Sequence, residues 1–144
     1  NIQFAQIGRR DDLPAHVLEQ IDRTIDQTSS NTGLTLVLAI NYGSRAEILD
    51  AVRDIARRVR AGQIDPEDID ESTIDASLYT HRWPDPDLLI RTAGEMRVSN
   101  YLLWQISYAE LYVGEVCWPD FDVEQLRLAL REYAKRTRRF GALV

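Results

Sequence analysis

Short apolar runs alternate with helical stripes along this chain. Residues 2–8 alternate loosely between apolar and polar positions and end at Gly8, which predicts a strand. A polar turn over 9–13 leads to Pro14, a residue suited to the first turn of a helix. Val17, Leu18, Ile21 and Ile25 then recur at helical spacing, and the polar run 27–31 with Gly33 ends the pattern. Residues 34–40 (LTLVLAI) form an almost continuously apolar run, read as a strand buried on both faces. Ser44 and Glu47 have capping-box spacing and open a second helix. Along it Ile48, Val52, Ile55 and Val59 line one face, and Gly62 closes it.

Asp65, Pro66 and Glu67 start a connecting turn, and residues 72–81 are expected to form a short helix. Residues 87–92 (DLLIRT) predict another buried strand, 100–105 one or two helical turns, and 111–116 a further strand. Asp122 and Gln125 repeat the capping-box spacing ahead of a stripe of Val123, Leu126, Leu130, Tyr133 and Thr137. The alternation implies an α/β fold, a mostly parallel sheet flanked by helices. The 144 residues suffice for a single domain, 1–144, and contain no internal repeat, low-complexity stretch or linker.

Composition narrows the class. Hydrophobic residues make up 44% and charged residues 28%, the balance of a globular chain. A net charge of -6 argues against a dedicated nucleic-acid binder. One cysteine, Cys117, allows no intrachain disulfide and suits a reducing compartment. No apolar run approaches the roughly 20 residues that span a bilayer. The chain opens on Asn1 inside a strand-like run, and its only methionine is Met96. Both features lead us to expect a piece of a longer protein, lacking an N-terminal portion.

The densest polar cluster runs from Arg91 through Thr92, Ala93, Gly94, Glu95, Met96, Arg97 and Val98 to Ser99 and Asn100. It follows the strand expected over 87–92, and open α/β sheets bind ligands in the loops after their strands. Two arginines, a hydroxyl and a glycine turn supply several donors and no acidic pair for a metal cage. Arginine can hold phosphate oxygens through two parallel hydrogen bonds. Ser99 is expected at a helix start, where backbone N–H groups favour an anion. Glu95 could position an arginine. On residue chemistry alone, paired arginines in such a place are phosphate ligands or surface salt-bridge partners, and both readings stand.

The stretch 84–95 (PDPDLLIRTAGE) and its continuation 97–105 (RVSNYLLWQ) resemble a hallmark of the cis-prenyltransferases, the undecaprenyl diphosphate synthase family. Residues 108–112 (YAELY) and 118–121 (WPDF) follow in that family's order, and 41–47 (NYGSRAE) is similar to its NYGGR-x-E element. Ser44 stands where the family usually has a second glycine, and Ala93 where it commonly has serine or glycine. The resemblance implies an enzyme that joins isopentenyl diphosphate to an allylic diphosphate with a cis double bond. It implies that Arg91, Arg97, Val98 and Ser99 hold the diphosphate of isopentenyl diphosphate. Glu110 would help bind Mg²⁺ together with an aspartate outside this chain. Arg139, Phe140 and Gly141 match an Arg-x-Gly tail that reaches a partner's active site, which implies a homodimer.

The family's DGNGRWA-type and SENW-type elements are not in this sequence. The resemblance therefore implies the isopentenyl diphosphate half of the site, with no catalytic residue, and a chain inactive alone. A cytoplasmic enzyme touching the membrane surface through its lipid product is expected, with no nucleic-acid partner. Two rival readings are a non-catalytic partner subunit and a generic phosphoester-binding α/β domain.

Other residues have plainer readings. Cys117 is expected to be buried beside Trp118, and Trp104 and Trp118 to be packing residues. His16 and His81 lack partners at metal spacing and are read as surface or structural residues. The acids of 65–71 lack calcium-loop spacing and are read as a solvated turn. Asn41 and Arg45 either stabilise the strand-to-helix corner or touch substrate.

Overall fold

The computed structural model describes residues 1–138. The chain divides into two compact units, the first Asn1–Trp83 and the second starting at Pro84.

In the first unit, β1 (Gln3–Ile7) and β2 (Thr35–Ala39) pair in parallel, in register from Gln3 opposite Thr35 to Ile7 opposite Ala39. Gly8 ends β1 at φ 116°, and a Cβ there would lie 2.1 Å from the Ile40 carbonyl oxygen. Only glycine permits that approach of the two strand ends. Helix α1 (Ala15–Thr28) follows Pro14 and turns Ile21 inward, as the spacing of Val17, Leu18, Ile21 and Ile25 requires. Its pattern ends at Thr28, and Gly33 serves a different purpose. A Cβ on Gly33 would meet the Asn1 carbonyl oxygen at 2.1 Å, so this glycine lets the chain pass close to the Asn1 backbone.

The reading of residues 34–40 needs correction. Leu34, Leu36 and Leu38 are exposed, because alternate residues of a strand face opposite sides and only one face of β2 is covered among the described residues. Helix α2 (Ser44–Arg60) is also built differently from its sequence reading. Gly43 is its N-cap, with no side-chain capping bond, and Ser44 is already helical. The inward face carries Ser44, Glu47, Ala51 and Ile55, at three- and four-residue intervals, while Val52 is 56% exposed. Gly62, at φ 69°, ends the helix as expected. Its N–H reaches the Val59 carbonyl at 2.9 Å, and the Gln63 N–H reaches that of Arg58 at 2.9 Å.

After a 3-10 turn over Pro66–Asp68, α3 spans only Glu71–Asp75. It is shorter than the expected 72–81 and starts earlier. Asp70 and Thr73 form a reciprocal capping box there, with the cap two residues upstream of the expected start. The acids at 65 and 70 thus act as caps: Asp65 accepts from the Glu67 N–H at 3.0 Å, and Asp70 from that of Thr73 at 2.9 Å.

In the second unit, β3 (Leu88–Arg91) and β4 (Glu110–Val113) are parallel, with Leu88 opposite Glu110 and Arg91 opposite Val113. Residues 100–105 make isolated turns in place of the expected helical turns. Ser99, Asn100 and Leu102 have φ of 48°, 61° and 47°, a left-handed course that no α-helix follows. Helix α4 (Val123–Ala134) starts where Asp122 accepts the Gln125 N–H at 3.0 Å. Its buried residue is Ala129, and Val123, Leu126 and Leu130 of the expected stripe are exposed. The tail residues Arg139 and Gly141 lie outside the described residues.

Candidate functional site

Strand β3 delivers Arg91 at its last position, and the following loop is pinned to the loop after β4. The Ala93 N–H bonds the Val116 carbonyl at 2.8 Å, Gly94 N–H that of Gly114 at 2.9 Å, and Gly114 N–H that of Arg91 at 2.8 Å. Ala93 and Gly94 both take left-handed φ, 62° and 65°, and turn the chain back sharply. A Cβ on Gly94 would meet the Glu115 carboxylate at 3.1 Å, so the turn runs close against that side chain.

The chain then returns to the end of β3. Leu89, Ile90, Arg91, Arg97, Val98 and Tyr101 line one cavity of about 230 Å³. The structure therefore brings together three of the residues singled out in the sequence, Arg91, Arg97 and Val98, with apolar walls around two guanidinium groups. Glu95 ion-pairs with Arg97 from within the turn, the positioning role that its place in sequence suggested. Ser99 is exposed and does not line the cavity, and its expected place at a helix start is not met. Two cations on an apolar floor can hold an anionic head carrying a short hydrocarbon.

Glu110 opens β4, with its N–H bonded to the Asp87 carbonyl at 2.9 Å. Its carboxylate is held by Arg136 at 2.8 Å, and Arg138 ion-pairs with Asp87. Among the described residues, no three carboxylate, histidine or cysteine side chains gather into a cation site. Mg²⁺ is usually held by one or two carboxylates together with substrate phosphates and waters, and of these Glu110 supplies one carboxylate, bonded here to Arg136.

The carboxyl ends of β1 and β2 carry a polar network of their own. Asn41, at φ 50°, donates through Nδ2 to the Arg9 carbonyl at 3.0 Å, and the Arg9 N–H reaches the Asn41 carbonyl at 3.1 Å. Asn41 thus braces the corner. Arg9 grips Asp50 with two hydrogen bonds, of 2.9 and 2.8 Å, and the Tyr79 hydroxyl donates to the same carboxylate at 2.5 Å. Those bonds, first that from Arg9, hold the Asp50 carboxyl below its usual range. Burial, then the bond to Asp50, pushes the Tyr79 phenol up to about 12. Glu47 is fully buried and accepts the Tyr42 hydroxyl at 2.5 Å and the Tyr79 N–H at 2.9 Å. Spacing pointed to Glu47 only as a cap. Its inward place, three residues after Ser44 and four before Ala51, was the available signal.

The remaining sequence readings divide. His16 is exposed, and the His81 ring bonds the Leu78 carbonyl at 2.9 Å, as surface and structural residues would. Trp104 is half-buried. Cys117 is exposed, against expectation, because it lies beyond the end of β4, at the N-cap of a 3-10 turn over Trp118–Asp120. Trp118 is 72% exposed and stacks on Phe121 with ring centroids 5.8 Å apart.

The family model described as "Putative undecaprenyl diphosphate synthase" matches residues 1–141. The chain belongs to the undecaprenyl diphosphate synthase family. Among the relatives of this chain, the isoprenyl transferase of Porphyromonas gingivalis is 49% identical over 141 residues, covering 98% of this chain and 56% of its own length. That of Rhodopirellula baltica is 50% identical over 143 residues, covering 99% and 59%. The crystal structure of lavandulyl diphosphate synthase from Lavandula x intermedia, in complex with dimethylallyl diphosphate, matches with a TM-score of 0.95 at 40% identity. The match covers 98% of this chain and 61% of that one. A probable undecaprenyl diphosphate synthase from Campylobacter jejuni matches with a TM-score of 0.84 at 30% identity, covering 98% and 64%. The α/β fold with parallel strands is thus that of the cis-prenyltransferases. The chain spans a little over half the length of the curated relatives it matches.

Proposed function

We propose that this chain carries the isopentenyl diphosphate half-site of an isoprenyl transferase. The observation that supports it is the cavity where Arg91 and Arg97 stand among Leu89, Ile90 and Val98. The two guanidinium groups suit a diphosphate, and the apolar walls suit a five-carbon chain. Ser99, next to Val98 in the same loop, does not line the cavity and would add its hydroxyl only from outside it. Family membership favours an isoprenoid diphosphate over other phosphoesters, and the lavandulyl diphosphate synthase structure was obtained with an allylic diphosphate.

In the full reaction the allylic C–O bond breaks and diphosphate leaves. The π electrons of isopentenyl diphosphate form the new C–C bond, and one proton is lost. The part assigned to this chain is binding and orientation: holding the nucleophilic alkene by its diphosphate is worth several orders of magnitude in rate. No catalytic proton transfer falls to Arg91 or Arg97. Glu110 would hold Mg²⁺ through one carboxylate oxygen while Arg136 bonds the other, and the ion would neutralise charge on the departing diphosphate. In the same reading the transferase works as a homodimer. The apolar surface left open by Leu111 on β4 and by Leu126 and Leu130 on α4 favours a partner, as does the match of Arg139 and Gly141 to the family's Arg-x-Gly element. No described helix is long and apolar enough to cross a membrane, and contact with a bilayer would be peripheral, through the lipid product.

The test is turnover by the full-length protein with labelled isopentenyl diphosphate. Arg97→Ala is expected to raise the KM for isopentenyl diphosphate at least tenfold and that for the allylic substrate less than twofold. Equal changes in both would reject the assignment.

A further inference from the structure

Among the described residues, Tyr101 is the one aromatic residue in the lining of the Arg91–Arg97 cavity, and it sits in an unusual stretch of backbone. Ser99 and Asn100 before it and Leu102 after it all have positive φ, without a glycine among them. A left-handed Ser or Leu costs about 1 kcal/mol or more, Asn less, and such strain concentrates where a side chain must be aimed. The Tyr101 N–H closes the turn on the Val98 carbonyl at 3.1 Å, so the backbone that carries the ring is tied to a second wall residue of the same cavity. Tyr101 keeps 38% of its surface exposed, which leaves ring area for a ligand to cover. Burial of the rest raises its phenol, so it stays neutral across the physiological range.

We infer that Tyr101 is a specificity-determining residue whose ring packs against the hydrocarbon of the bound diphosphate and separates isopentenyl diphosphate from inorganic diphosphate. The inference rests on the reading of the cavity as a diphosphate site and adds which residue reads the tail. The two arginines recognise the head alike in both ligands. Leu89, Ile90 and Val98 supply aliphatic wall, and Tyr101 adds a flat aromatic face. Removing a hydrocarbon contact of this size changes affinity by about one to two orders of magnitude for a ligand that makes it. A ligand without a tail does not feel the change.

The experiment is calorimetric titration of the full-length protein with isopentenyl diphosphate and, separately, with inorganic diphosphate. Tyr101→Gln is expected to weaken isopentenyl diphosphate at least tenfold and inorganic diphosphate less than twofold. Tyr101→Leu, which restores apolar bulk, is expected to keep isopentenyl diphosphate within threefold. Equal losses for both ligands in Tyr101→Gln, or equal affinities in the Gln and Leu variants, would overturn the role of the ring. Absence of isopentenyl diphosphate binding by the unsubstituted protein, or binding unchanged in Arg97→Ala, would instead overturn the site, and the inference with it.

Discussion

Two adjacent residues, Ala93 and Gly94, show how closely the loop after β3 constrains its sequence. Both are left-handed, yet only one is glycine. Ala93→Gly relieves that strain and adds chain entropy, two effects of about 1 kcal/mol that nearly cancel. Gly94→Ala has no such offset and presses a methyl on the Glu115 carboxylate. Urea denaturation should place Ala93→Gly within about 0.5 kcal/mol of the parent and Gly94→Ala at least about 1 kcal/mol below it. The reverse order would contradict the turn geometry. Asp50 adds a pH dependence. Its folded value lies below its unfolded value, so its stabilisation is present above the ordinary carboxylate range and is lost as pH falls through the lowered value. Asp50→Asn should flatten the acid limb of a melting-temperature profile below about pH 4. An unchanged limb would mean that the grip of Arg9 and Tyr79 on Asp50 carries no linkage.

At the scale of elements, what was legible followed from local rules, and what was not depended on neighbours. β1, α1 and β3 were readable because their apolar spacing and their Gly8 and Pro14 boundaries act within a few residues. Asp122 was readable for the same reason, as a side chain that caps the helix just after it. The cap on α4 is measurable: Asp122→Ala should cost about 1 kcal/mol in thermal or urea unfolding, and Asp122→Ser much less. Equal losses would show that the cap contributes nothing. The start of α2 misled because Ser44 and Glu47 satisfy the capping spacing while serving as inward-facing polar residues, which only the position of Tyr42 and Tyr79 decides. Residues 100–105 misled because no propensity rule anticipates three left-handed non-glycine residues in four positions. The stripe on α4 marked an apolar face correctly without marking it as exposed, since a sequence records apolarity and not what covers it. In the candidate site, Arg91, Arg97 and Val98 were visible through motif order, whereas Tyr101 required the turn that follows Val98.

For the whole molecule, family and fold rest on a match along residues 1–141, and the half-site on one cavity in the second unit. The donor set around Glu110 carries a direct expectation. Mg²⁺ alone should bind this chain weaker than about 1 mM by titration, since one carboxylate in a salt bridge cannot replace enough of its hydration shell. Micromolar binding would mean that a cation site exists which the described residues do not form. The homodimer reading is checked by sedimentation of the full-length protein. Leu126→Glu with Leu130→Glu should shift dimer to monomer while far-ultraviolet dichroism stays unchanged, and a parent that is monomeric at all concentrations would refute it. The central claim remains that Arg91 and Arg97 together hold isopentenyl diphosphate. Its most direct test is the dissociation constant of that ligand for the full-length protein and for the Arg91→Ala, Arg97→Ala double variant. We expect at least a thirtyfold loss in the double variant with the fold intact; equal affinity in the two proteins would contradict the account.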